Sequence, residues 1–291
     1  MSAQDEIQRS NPPISLPSWN DIAPAKAIIA FVDKVTKEGS ADFVPPAERI
    51  AVFDNDGTLW PEYPLVGQLA FILDELKRRI PTEPALAADS IVHAALAGDF
   101  AKLLEGTHHD GLMRVLGLTL TGMTTEEFRV NVEEWLASAR HPKFGHPYYQ
   151  VIYQPMLELL RYLRANDFKT FIVSGGGADF MRIWVEGVYG IPPEQVVGST
   201  SRATFELRDS GPVLVKTMNY LFVDDKPGMP VGIHQFIGRR PIACFGNSDG
   251  EREFAYDAMA PWGSLVDALK EVPQRGWSVV DMKNDWRRIF A

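Results

Sequence analysis

Two carboxylates one residue apart, Asp54 and Asp56, stand where a short apolar run stops: Ile50-Ala51-Val52-Phe53, then Asp-Asn-Asp-Gly-Thr-Leu-Trp. The run has the length of a buried strand. Because side chains alternate along a strand, both acids can leave the sheet on the same side. Like charges so close destabilise one another unless a cation, metal or lysine, compensates them. The carboxyl ends of strands are also where open α/β sheets hold their ligands. An Asp-Gly turn would account for the same residues structurally, so the rest of the chain must supply the compensating charge.

Two further apolar runs end in comparable residues. Thr170–Val173 stops at Ser174-Gly175-Gly176-Gly177, and Pro241–Phe245 stops at Gly246-Asn247-Ser248-Asp249-Gly250-Glu251. Between them, Tyr220–Val223 runs into Asp224-Asp225-Lys226. Taken singly, the serine-glycine run reads as a flexible turn and the lysine as a solvated loop residue. Lys216, within a hairpin strand, is the alternative cation. Together, strands that all end in small, polar or acidic residues build a site along one sheet edge.

The elements that must position these residues follow from periodicity. Residues 1–19 are a proline-punctuated arm. A helix is expected from Pro24 to Lys37, with Asn20-Asp21 as its capping signal. Residues 65 to about 140 read as almost wholly helical, with Leu69, Ile72, Leu73, Leu76 and Ile80 on one face and Thr124-Thr125-Glu126-Glu127 as a capping start. The α/β pattern returns with a helix over Pro155–Ala165, a helix over Asp179–Tyr189, a short strand at Val196-Val197 and a hairpin over 203–216. A helix candidate runs to Ile237, and only Trp277–Val280 could form a strand after Glu251. The division expected is an arm (1–19), an α/β core (20–62 and 150–291) and an inserted helical cap (63–149).

The 291 residues carry a formal net charge of −9 and no basic run, which argues against general nucleic-acid affinity. No apolar stretch approaches the ~18 residues of a membrane span. The first residues lack the basic and apolar regions of a signal peptide, so a cytoplasmic location is expected. Cys244 is the one cysteine, within an apolar run, and reads as a core residue.

Asp54-Asn55-Asp56-Gly57-Thr58, Ser174-Gly175-Gly176, Lys226 and Gly246-Asn247-Ser248-Asp249 resemble, in order and spacing, the four motifs of the haloacid dehalogenase (HAD) superfamily. The inserted helices resemble the cap of its phosphoserine phosphatase-like members. The resemblance implies a Rossmann-like α/β core, a mostly parallel sheet with helices on both faces. It also implies a Mg2+-dependent phosphomonoester hydrolase acting on a small phosphorylated metabolite. In that reading Asp54 is the nucleophile, forming an aspartyl-phosphate, and Asp56 is the acid and base. Ser174 and the Gly175 amide hold phosphoryl oxygens, and Lys226 adds positive charge. Mg2+ is bound by the other oxygen of Asp54, the backbone carbonyl of Asp56, Asn247, and Asp249 directly or through a water.

Three departures accompany the resemblance. Asn247 and Glu251 each stand where an aspartate is usual, and the uncharged Asn247 predicts weaker Mg2+ affinity. Met229 stands where related chains often carry lysine. His93, Lys102, His108, His109 and Arg114 are the cap candidates for the leaving group; Trp60 and Tyr63 are candidates to shape the pocket. The alternatives are a phosphomutase of the same superfamily and a catalytically weak HAD-like binding protein.

Overall fold

A computed structural model describes residues 16–103, 105, 110–247 and 268–291. Asp249, His108, His109 and Glu251 lie outside them. Strand β1 (Ile50–Phe53) is four fully buried apolar residues, and it lies inside a five-stranded sheet of order β4-β3-β2-β1-β5. β2 (Lys169–Gly177) and β5 (Ala243–Phe245) flank β1 in parallel, with Phe53 level with both Ile172 and Phe245. β3 (Val196–Arg208) is parallel to β2 and pairs antiparallel with β4 (Gly211–Phe222). Strands buried on both faces read as unbroken apolar runs, which is why β1 was visible without any alternation.

The hairpin differs from the sequence expectation. Val196-Val197 and residues 203–216 are not separate elements; they belong to one long ribbon that also takes in Tyr220. Its intervening residues, Ser199-Thr200-Ser201-Arg202, are polar and carry no hydrophobic period, so only backbone pairing reveals the strand. Trp277–Val280 is not a strand, and β5 forms the sheet edge among the described residues.

The first helix, α1 (Ala23–Thr36), starts at Ile22 without a side-chain cap. The expected cap residue Asn20 is engaged elsewhere: its Nδ2 donates to the carbonyl of Asn284, near the C-terminus. Between β1 and β2 lie α2 (Gly67–Arg79), α3 (Pro84–Ala87), α4 (Ser90–Ala97), α5 (Phe100–Leu103), α6 (Asp110–Leu120) and α7 (Thr125–Ser138). α7 begins with the capping box read from its sequence, as Thr124 and Glu127 exchange hydrogen bonds. After α8 (Gln154–Ala165) and β2, the expected helix 179–189 is two pieces, α9 (Ala178–Arg182) and α10 (Val185–Tyr189). α11 (Gly228–Gly232) continues into a π turn to Ile237; α12 (Ala268–Arg275) and α13 (Met282–Asp285) close the chain.

A single apolar cluster runs from Phe53 and Leu159 under the sheet to Phe71, Val115 and Phe128 in the inserted helices. One close approach is made by Gly117 of α6, where a Cβ would stand 2.9 Å from Met218 Cγ of β4. The absence of a side chain there lets α6 lie against the sheet edge. Cys244 is half-buried against the smaller cluster around Val52 and Val197.

Candidate active site

The turn after β1 is built around one carbonyl. Asn55 O accepts from the amides of Thr58, Leu59 and Trp60 (3.2, 2.8 and 3.3 Å), and the Gly57 amide donates to Trp60 O at 2.8 Å. This winds the chain so tightly that Gly57 takes φ +82°. A Cβ on Gly57 would also fall 1.9 Å from Asn247 Nδ2 and 2.0 Å from Glu62 Oε2, so both the backbone angle and the space demand glycine. The turn is fixed to β5 as well, since the Asp54 amide donates to Phe245 O at 2.9 Å.

Asp54 is buried and Asp56 half-buried. Burial pushes the Asp56 carboxyl up to about 6. Hydrogen bonds from Trp60, Asn55 and the Gly67 amide oppose that shift; the Trp60 Nε1 bond to Oδ1 is 2.7 Å. Trp60 is itself immobilised, stacked on Trp184 with ring centroids 4.6 Å apart. Beneath the turn, Tyr189 donates to Asn55 Oδ1 at 3.1 Å. Burial first, then the charges of Asp56 and Asp54, hold its phenol neutral.

β2 brings its glycines to the same corner. A Cβ on Gly176 would stand 3.6 Å from Asp56 Oδ2, 3.6 Å from Gln68 Oε1 and 3.7 Å from Ser174 Oγ. Ser174 is buried, and the Gly176 amide points back to its Oγ at 3.4 Å. Gln68, on the first turn of α2, accepts from the Gly177 amide at 2.7 Å and so links the inserted helices to the end of β2, which runs on past the expected stop at Val173 to Gly177. A cavity of about 620 Å3 opens here, floored by Asp56, Gly175, Gly176 and Gly177, with Lys226 at its rim.

Lys226 is exposed, has φ +51°, and lies 3.9 Å from Asp225. A non-glycine residue in the left-handed region is uncommon, and such strain concentrates at functional loops. The alternative, Lys216, is committed elsewhere: it is buried, ion-paired with Asp179 and seated over the Phe128 ring at 4.6 Å. The structure therefore brings Asp56, Gly175 and Lys226 to one cavity, keeps Asp54 and Ser174 buried behind its lining, and leaves Lys216 out of it.

Asn247 faces the β1 turn from β5. Its Oδ1 accepts from Thr58 Oγ1 (3.2 Å) and its Nδ2 donates to Glu62 Oε2 (2.6 Å). Among the described residues no three His, Cys, Asp or Glu side chains cluster tightly enough to hold a metal. The groups that the resemblance names for an ion nonetheless offer oxygens: a carboxylate oxygen of Asp54, the backbone carbonyl of Asp56 and the amide oxygen of Asn247, which here accepts from Thr58. Such a set fits a hard cation such as Mg2+ and disfavours softer metals.

Sequence reasoning did not single out Gln68, Glu62 or Asp224. Asp224 is fully buried, its amide held by Ser199 Oγ at 3.0 Å, and neither carboxylate oxygen has a hydrogen-bond partner. Burial pushes its carboxyl up to about 8; the neighbouring Asp225 charge adds to this, while the Ser174 amide, short of full hydrogen-bond geometry, opposes it. The adjacent acids Asp224-Asp225 were the only trace of it in the sequence. Among the cap candidates, Arg114 is turned aside to pair with Asp89 at 2.5 Å. His93 is exposed, and neither it nor Lys102 lines the cavity. Tyr63 is largely exposed, with the Lys143 ammonium 5.4 Å from its ring centroid.

The family model for haloacid dehalogenase-like hydrolases matches residues 51–218, more than half of the chain. The chain belongs to that family. Among solved structures, a functionally unknown protein from Anaerococcus prevotii is similar at TM-score 0.52 and 15% identity, over 87% of this chain and 90% of its own. A protein of unknown function from Bordetella pertussis is similar at TM-score 0.52 and 18% identity, over 81% and 99%. A probable phosphoserine phosphatase from Vibrio cholerae is more distant, at TM-score 0.41 and 16% identity over 78% and 55%. At these identities the likeness is one of fold. No curated protein matches the sequence. Among the described residues no helix of this HAD-like hydrolase is long and apolar enough to cross a membrane.

Proposed function

We propose that this HAD-like hydrolase is a Mg2+-dependent phosphomonoesterase of the phosphoserine phosphatase-like branch, with residues 63–149 forming a cap over the core. The observation that carries the reading is the meeting of Asp56 with the Ser174–Gly177 end of β2, at 3.6–3.7 Å from a common point at Gly176, beside a cavity lined by Asp56, the three glycines and Lys226. A carboxylate can approach an anionic phosphoryl group only where its charge is offset. Lys226, the loop amides and a bound Mg2+ would do this. Asp54, the backbone carbonyl of Asp56 and Asn247 would hold the ion, with Asp249 completing the set; when bound it would neutralise phosphoryl charge.

The steps then belong to the protein's own groups. Asp54 Oδ attacks phosphorus as the ester P–O bond breaks, and the electron pair leaves with the alcohol oxygen. Asp56, protonated and hydrogen-bonded to Trp60, gives that oxygen its proton. Water next attacks the aspartyl-phosphate, Asp56 takes its proton, and the bond between Asp54 and phosphorus breaks to release phosphate. A carboxyl raised to about 6 suits both tasks near neutrality. Ser174 Oγ and the Gly175 amide would steady the equatorial oxygens.

The test is phosphate release from p-nitrophenyl phosphate with excess Mg2+, with Asp54→Asn as control. Release by the native chain and none by the variant supports the proposal; release by neither would favour a HAD-like binding protein.

A further inference from the structure

Above its phosphate end the cavity changes character. Leu69 of α2, Leu112, Met113 and Leu116 of α6, and Tyr220 and Val223 at the end of β4 form its walls. Burial pushes the Tyr220 phenol up to about 12, in keeping with an apolar surrounding. Two of the polar groups nearby are engaged within the protein. Gln68 Oε1 accepts from Gly177, and Ser199 Oγ donates to Gly175 O at 2.9 Å while accepting from the Asp224 amide. Among the described lining residues, charge is confined to Asp56, Asp225 and Lys226, all at the phosphate end. Arg114, next to Met113 on the same helix, is held away by Asp89.

We propose that the substrate is a phosphomonoester with an uncharged, largely apolar leaving group, seated between α6 and the end of β4. The inference rests on the phosphatase reading and narrows it. A cavity of about 620 Å3 is ample for a phosphate and a ring or short alkyl chain. A zwitterionic or polyhydroxylated leaving group would bury donors and acceptors without partners against leucine and methionine, and such mismatches discriminate strongly. An apolar group would instead gain from leaving water.

The experiment compares kcat/KM for phenethyl phosphate and glycerol phosphate in Mg2+. Both release primary alcohols, so the demand for leaving-group protonation is nearly equal and the ratio reports the cavity. A preference for phenethyl phosphate of at least about tenfold is expected. Leu112→Asn and Leu116→Asn, each checked by melting temperature, should shrink that ratio by at least about threefold. A ratio at or below one overturns the apolar class while leaving hydrolysis in place. No release from either ester or from p-nitrophenyl phosphate overturns the phosphatase reading. In that case calorimetry with phenethyl phosphonate and dihydroxypropyl phosphonate decides the cavity: selective binding of the first supports its apolar character, and equal or absent binding overturns it.

Discussion

Asn247 Nδ2 donates to Glu62 Oε2 over 2.6 Å, joining the end of β5 to the loop that follows the β1 turn across 185 residues of sequence. The amide thus does at this corner what an aspartate could not: it donates to a carboxylate. Asn247→Asp would set two carboxylates face to face. Without divalent ions the variant should lose roughly 1–3 kcal/mol of stability. Added Mg2+, or the partner change Glu62→Gln, should restore most of it. Thermal melts in chelator and in Mg2+, on both single variants and the double, measure the coupling; equal melting of Asn247→Asp and the native chain in chelator would refute it.

Asp54→Asn should lower turnover by at least ~10³-fold while leaving the melting temperature near that of the native chain, because binding energy cannot replace a missing nucleophile. Steady-state phosphate release over a range of substrate concentrations checks this.

Asp56→Asn should separate substrates by leaving group. Alkyl esters, whose alkoxides must be protonated as they depart, should lose at least ~10-fold more activity than aryl esters. Equal losses would show that Asp56 acts by positioning alone.

Asp224 makes a prediction about pH and stability. Its carboxyl is raised to about 8 in the folded chain, against 3.8 ordinarily. Between those values the folded state holds a proton that the unfolded chain has released. Stability therefore falls as pH rises from about 4 to about 8, and levels off above. Asp224→Asn mimics the protonated carboxyl, so it should match the native chain near pH 4 and exceed it by roughly a few kcal/mol at pH 8.5. Denaturant melts at both pH values decide it; a difference that does not vary with pH would refute the assignment.

Gly57→Ala should cost at least ~2 kcal/mol, since the turn needs φ +82° and the added carbon would overlap Asn247 and Glu62. A urea midpoint unchanged from the native chain would contradict the packing described.

Much of this molecule was determined by sequence alone. Four consecutive apolar residues followed by Asp-Asn-Asp-Gly-Thr dictate a buried strand with acids at its exit, because local burial and turn chemistry agree there. Thr124 and Glu127 likewise announce the start of α7, since both partners of a capping box lie within one turn.

Only the tertiary structure decided the rest. Lys216 and Lys226 are indistinguishable as residue types, and the fold buries the first against Asp179 while leaving the second on the cavity. Gln68 meets Gly177 across 109 residues, and Glu62 meets Asn247 across 185. Asp224 lost its solvent through packing against Gly232, where a Cβ would fall 2.5 Å from Oδ1. Such contacts have no period and no local propensity to announce them. They exist because parallel strands distant in sequence end at one edge, and the helices between β1 and β2 fold back across it.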